Sequence, residues 1–127
     1  MDLGLSALLD DLHQRGLLES TLVLVMGEFG RTPRIGQVVM NAATDQAGRD
    51  HWPHAYTVLA AGGGVKGGRV YGASDNRAAF VKDDPVTPPD LQATVLHALR
   101  IRHDATIKDR QGRPHAASDG SPVTRLF

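Results

Sequence analysis

The run TLVLVM at residues 21–26 decides the fold class, read with the turn GEFGRTP that follows it at residues 27–33. The run is short, rich in β-branched side chains and without polar alternation. That pattern predicts a strand covered on both faces, as in a parallel sheet. A second such run, AYTVLAA at residues 55–61, ends at Gly62, Gly63 and Gly64. Between them, residues 27–54 carry Gly, Pro, Arg, Asp and His with little apolar periodicity. Connections this long inside compact domains are usually functional or disordered, and ligands of α/β sheets gather at strand carboxyl ends. The chemistry of the chain is therefore expected in residues 27–54.

Outward from these runs, Leu5, Leu8, Leu9 and Leu12 fall at helical spacing, with Asp10, Asp11, Gln14 and Arg15 on the opposite face and Gly16 as a stop. Thr87 reads as the N-cap of a second helix, with Pro88 in its first position and Asp90 as the acidic N3 partner. Leu91, Val95, Ala98 and Leu99 would supply its buried stripe. Residues 67–74 suit a short ribbon or turn, residues 75–86 read as polar connecting chain, and the chain is polar and Gly/Pro-punctuated from Arg102 onward. Leu126 and Phe127 could tuck back as an anchor. Two strands and two helices make a thin sheet, because a pair buried on both faces needs further strands beside it. The expectation is a single, incomplete α/β domain over residues 1–127.

Composition narrows the function classes. At 127 residues, with 41% hydrophobic and 22% charged side chains, the chain has the composition of an ordinary globular domain. Fourteen Lys and Arg balance fourteen Asp and Glu, which removes the electrostatic argument for nucleic acid as a partner. The absence of cysteine excludes disulfides, thiolate zinc sites and a cysteine nucleophile. Any metal must then use His, Asp or Glu. No apolar run approaches the roughly 20 residues of a membrane span, and no signal peptide is visible at the N-terminus.

Two constellations could carry chemistry. In residues 27–33, Glu28 would stand at the carboxyl edge of the first strand, as a metal ligand or acid/base group. Arg31 could clamp a tetrahedral anion through its planar fork. The plain alternative is a surface turn in which Glu28 and Arg31 pair. In residues 48–54 (GRDHWPH), His51 and His54 would face one side if the segment made a helical turn. Asp50 would be a third ligand, or would orient an imidazole. The plain alternative is a loop anchored by Trp52 with the histidines exposed or bonded to backbone. The lead reading is that both constellations converge on one site.

Other features carry less. The glycine-rich residues 62–68 lack the Gly-Lys-Ser/Thr ending of a phosphate loop and read as a turn with positive φ. His97 reads as structural or exposed. Residues 109–115 (DRQGRPH) could bring Arg113 or His115 to a cleft but read better as a solvated turn, and nothing around His13 or His103 suggests a role.

The stretches LLDDLHQRGLLESTLVLVMGEFGRTPRI (8–35), GRDHWPHAYTVLAAGGGVKGGRVYGASD (48–75), PPDLQATVLHALRI (88–101) and DRQGRPHAASDGSPV (109–123) resemble, in this order, the C-terminal part of the bacterial proteins grouped as domain of unknown function 1501. That sulfatase-like family is similar to the alkaline phosphatase superfamily. The resemblance implies a three-layer α/β/α sandwich, of which this chain would be the C-terminal portion. It also implies one or two divalent ions (zinc, calcium or manganese) between strand ends and a nucleophile in the N-terminal half. By position, Glu28 stands where the superfamily has an Asp of an Asp-His pair, and His51 or His54 where it has a later His. Phe29 stands in the place of the pair's His and supplies no nitrogen or oxygen donor. Residues 36–47 are longer than the family pattern suggests.

The resemblance thus implies a segment of a metal-dependent hydrolase of phosphate or sulfate esters, with Glu28, Asp50, His51 and His54 as candidate metal ligands and Arg31 as the catalytic anion clamp. Such a segment would be inactive without the N-terminal half, its expected partner. A second reading is a non-catalytic module for sulfated or phosphorylated glycans or a protein partner; a third is a gene fragment with no independent function. The full-length family resembles exported, periplasmic or secreted proteins, while this chain leaves the compartment open.

Overall fold

The computed structural model describes residues 2–39 and 48–127. Its elements run α1 (Asp2–Gln14), β1 (Val23–Val25), β2 (Gly30–Arg31), β3 (His51–Trp52), β4 (Leu59–Ala61), β5 (Ala73–Ser74), β6 (Val81–Asp83), α2 (Pro88–Ala98), β7 (Thr106–Lys108) and β8 (Pro114–Ala116), closing on a 3-10 turn, Thr124–Leu126. The class is mixed α/β, as expected. No helix among the described residues is long and apolar enough to cross a membrane.

Both helices form where the leucine spacing places them. Helix α2 starts with the full capping box: Asp90 N–H donates to Thr87 Oγ1, and the Asp90 carboxylate accepts from Thr87 N–H. Both helices also end alike. After α1, Gly16 N–H donates to His13 O and Leu17 N–H to Leu12 O; after α2, Arg100 N–H donates to His97 O and Ile101 N–H to Leu96 O. This is the Schellman arrangement, which requires a left-handed residue beyond the cap. Gly16 takes it at φ 69°, and Arg100 takes it at φ 59° with a Cβ present.

The two apolar runs supply β1 and β4, which form a two-stranded sheet. Each strand is shorter than its run, and neither is covered on both faces as expected. Val23, Leu24 and Val25 are only half-buried, and Leu59 is 50% exposed. The physical reason is local: among the described residues no third strand joins the pair.

The chain divides into two compact units, Met1–Val23 with Ala60–Arg69 and Val86–Phe127, and Leu24–Leu59 with Val70–Pro85. In the first, the segment beyond Arg102 is more ordered than its polar composition suggests. Strands β7 and β8 pair antiparallel, Ile107 opposite His115. The chain then returns over α2, where Ser118 Oγ donates to Pro89 O, Ser121 N–H to Asp90 Oδ1 and Val123 N–H to Thr94 Oγ1. Phe127 packs edge-on against His97, so the expected anchor forms. The buried residues of this unit are small: Ala93, Thr94 and Ser118.

In the second unit two short ribbons form: one falls wholly in what the sequence suggested was irregular chain, and the other pairs the end of the expected ribbon or turn at residues 67–74 with a strand in the expected connecting chain. Strands β2 and β3 pair antiparallel, Gly30 opposite Trp52 and Arg31 opposite His51. Strands β5 and β6 also pair antiparallel, with an irregularity between Ala73 and Ser74. Part of the expected long insertion, residues 40–47, lies outside the described residues.

Candidate functional site

The β2–β3 ribbon places Arg31 and His51 opposite each other, and its register follows from a few side chains. Thr32, fully buried, is the centre of the lock. Its N–H donates to Asp50 O at 2.9 Å, its Oγ1 accepts from Asp50 N–H at 3.1 Å, and its hydroxyl donates to Arg34 O at 3.1 Å. Arg49 reaches across and donates to Thr32 O at 2.9 Å and Pro33 O at 3.0 Å. Gly30 is required by close approach: a Cβ there would meet Ala55 O inside 3.0 Å and stand 3.1 Å from Trp52 O.

In an antiparallel pair, directly opposite residues share a face and adjacent ones alternate. Arg31 and His51 therefore share one face of the ribbon, and Trp52, opposite Gly30, projects from the other. On the first face the Phe29 ring stacks on His51 with centroids 4.0 Å apart, and the Arg31 guanidinium lies 5.6 Å from the Phe29 centroid. Arg31 also donates a long bond, 3.4 Å, to Arg49 O. Glu28, Arg31 and His51 are all exposed. The expected alternative of a Glu28–Arg31 ion pair does not form.

On the second face the Trp52 indole N–H donates to Ala79 O at 2.5 Å. Its ring meets His54 at 4.6 Å and Phe80 at 5.6 Å, both edge-on. The helical turn that would bring His51 and His54 to one side is absent, because His51 and Trp52 are strand. His51 rests on Phe29, and His54 packs against Trp52 and Phe80. The loop ahead of β6 is held by Asp75, whose Oδ1 accepts from Arg77 N–H at 3.0 Å and Ala79 N–H at 2.9 Å. The Ala79 amide, foremost among these donors, holds the Asp75 carboxyl below its usual range.

Asp50 directly precedes β3, its carboxylate accepting from His51 N–H at 2.7 Å and Val39 N–H at 2.8 Å. No group of three or more His, Asp or Glu side chains that could hold a metal gathers among the described residues. The structure thus joins Arg31 with His51, ties Asp50 to the backbone beside them, and gives His54 a separate aromatic setting. Among the other candidates, Asp109 accepts from Arg113 Nε and His115 in a solvated turn.

Sequence reasoning missed Thr32, Arg49 and Phe80. The first two lie inside quoted motifs, yet nothing in residue type marks them as a lock rather than a surface. Phe80 sits in what read as connecting chain, and an aromatic residue there was the available signal.

No curated protein and no solved structure matches the chain. A family model described as "Protein of unknown function (DUF1501)" matches residues 1–127. The match covers every residue of the ribbon and of both helices, so the chain belongs to the DUF1501 family.

Proposed function

We propose that this chain is the C-terminal segment of a sulfatase-like, metal-dependent hydrolase of phosphate or sulfate esters, built on an alkaline-phosphatase-like α/β/α sandwich. The observation that supports it is the pairing of Arg31 with His51 on one exposed face, one residue after the Glu28–Phe29 step that leads in from β1. Arg31 offers a planar fork to two oxygens of the ester group. His51, backed by the Phe29 ring, is placed to donate a hydrogen bond to the same anion or to carry a proton at its ring nitrogen. Supplying charge where the transition state gathers it is the general basis of such catalysis.

The fit to a metal is partial. Glu28 and His51 are donors of the right chemistry for zinc or manganese, but Asp50 is engaged by two backbone amides and His54 by aromatic rings. An ion at Glu28 and His51 would need further donors from outside the described residues, and when bound it would polarise the ester oxygen. The exposed apolar side chains, among them Leu3 at 87% and Leu8 at 47%, support a role beside a larger partner, such as an N-terminal half of the same domain.

The test supplies the chain together with the N-terminal half that this reading requires, and combines metal content with a screen of phosphatase and sulfatase substrates, for wild type and for Arg31→Ala and His51→Ala. The reading expects stoichiometric metal lost in His51→Ala and ester cleavage lost in Arg31→Ala. Metal bound equally by wild type and His51→Ala, or turnover indifferent to both substitutions, overturns it.

A further inference from the structure

We propose that a second site, on the opposite face of the ribbon, binds a phosphorylated or sulfated sugar in the open cleft between Trp52, Phe80, Arg34 and Arg77. The cleft has a volume of about 490 Å³, within the roughly 300–1,000 Å³ of small-ligand sites. Pro33, Arg34 and Gln37 line it from the turn after β2, Trp52 from β3, and Arg77 and Phe80 from the loop ahead of β6.

Three observations give the occupant its chemistry. First, the aromatic wall is preorganised: Trp52 is fixed by its bond to Ala79 O, and Phe80 stands edge-on to it while staying 51% exposed. Rigid aromatic rings of this kind offer apolar area at little entropic cost, and the C–H face of a sugar ring is suited to them. Second, the cleft has two exposed arginines, and neither guanidinium donates a hydrogen bond to another described residue. A guanidinium matches the oxygens of a phosphate or sulfate group, and the cleft lining includes two. Third, the nearby carboxylate of Asp75 lowers the local charge without filling the cleft, because its Oδ1 is turned to the amides of Arg77 and Ala79. A single sugar ester is favoured over a polyanion by the balanced charge of the chain, fourteen basic against fourteen acidic side chains. The site uses none of Glu28, Arg31 or His51, so it stands or falls independently of the hydrolase reading.

Trp52 is the one tryptophan in the sequence, so its fluorescence reports on the cleft directly. The chain is titrated with glucose 6-phosphate and glucose 6-sulfate, and separately with glucose, inorganic phosphate and inorganic sulfate. The expected result is a saturable emission change with at least one sugar ester, with each component alone binding at least about tenfold more weakly. Arg34→Ala and Arg77→Ala should each weaken binding about tenfold or more, a charge-assisted bond being lost. Arg34→Lys and Arg77→Lys, which keep the charge but not the fork, should fall between. Arg110→Ala, in the β7–β8 turn, should leave the affinity unchanged. No saturable change with either ester, equal binding of free anion or free glucose, or arginine variants that bind as wild type would each overturn the proposal.

Discussion

Replacing Gly30 by Ala tests whether the ribbon is as tightly fitted as its geometry implies. The added methyl would press on Ala55 O inside 3.0 Å and reach 3.1 Å from Trp52 O. Both obstacles are backbone, which cannot swing aside as a side chain does. The strands must separate, at the cost of overpacking strain of about 1–3 kcal/mol. Separation also weakens the Thr32–Asp50 bonds at 2.9 and 3.1 Å, each contributing about 1 kcal/mol. With strain of about 2 kcal/mol and about half of that bonding lost, the sum is about 3 kcal/mol, or roughly a hundredfold in a local opening equilibrium. Hydrogen exchange at the Thr32 amide reads this opening, and Trp52 emission reads the strand opposite Gly30. The expected outcome is protection lower by about two orders of magnitude and a red-shifted emission. Gly27→Ala is the matched control, since its Cβ would only touch Phe29 O at 3.4 Å, an ordinary contact. Thr32 protection within threefold of wild type in Gly30→Ala, with unchanged emission, would refute the close approach from which the two-faced site is built.

Further outcomes follow from the helix ends and the Asp75 loop. Arg100→Gly should stabilise the protein by about 1 kcal/mol, because Arg100 holds φ 59° where a side chain is disfavoured; a thermal melt checks it, and an unchanged or lowered Tm counts against it. Gly16→Ala, at φ 69°, should destabilise by a similar amount in the same melt. For Asp75, the folded pKa lies below the ordinary 3.8, chiefly through the Ala79 amide. Its contribution is therefore fully present above pH 3.8 and lost as pH falls through the depressed folded value. The stability gap between wild type and Asp75→Ala should hold steady above that point and shrink below it, measured by urea melts across the acid range; a gap that widens on acidification would contradict the assignment.

What was legible in the sequence is what local chemistry dictates. The α2 cap needs only Thr87, Pro88 and Asp90 in order, and the α1 stop needs only Gly16 after the leucine stripe, so both could be read directly. The stop at Arg100 could not, since the same left-handed conformation is filled there by a residue that disfavours it. The β2–β3 ribbon was illegible for a different reason. Strands of two or three residues leave no alternation to detect, and β2 and β3 are joined by distant bonds through Thr32 and Arg49. The positions of Arg31 and His51 were readable as strand-end candidates, but their juxtaposition depends on the pairing register. Placing His51 and His54 on one side required a helical turn that the extended backbone at residues 51–52 does not make.

That register carries more of both proposals than any one candidate side chain. In a two-stranded pair with a period of two, a slip of one residue moves each side chain to the opposite face. It would put Trp52 beside Arg31 and take His51 toward Phe80, dissolving both proposed sites at once. Few backbone bonds guard against such a slip in a ribbon this short. The guard is instead Gly30, which admits only Ala55 O and Trp52 O at its open side, with Thr32 and Arg49, whose bonds to Asp50, Thr32 O and Pro33 O exist only in the observed pairing. Residues that touch no ligand in either proposal thus decide which ligand each face can take. Substituting Arg49 should therefore disturb the proposed anion face and the proposed sugar cleft together, whereas Arg31 and Arg77 should each affect one.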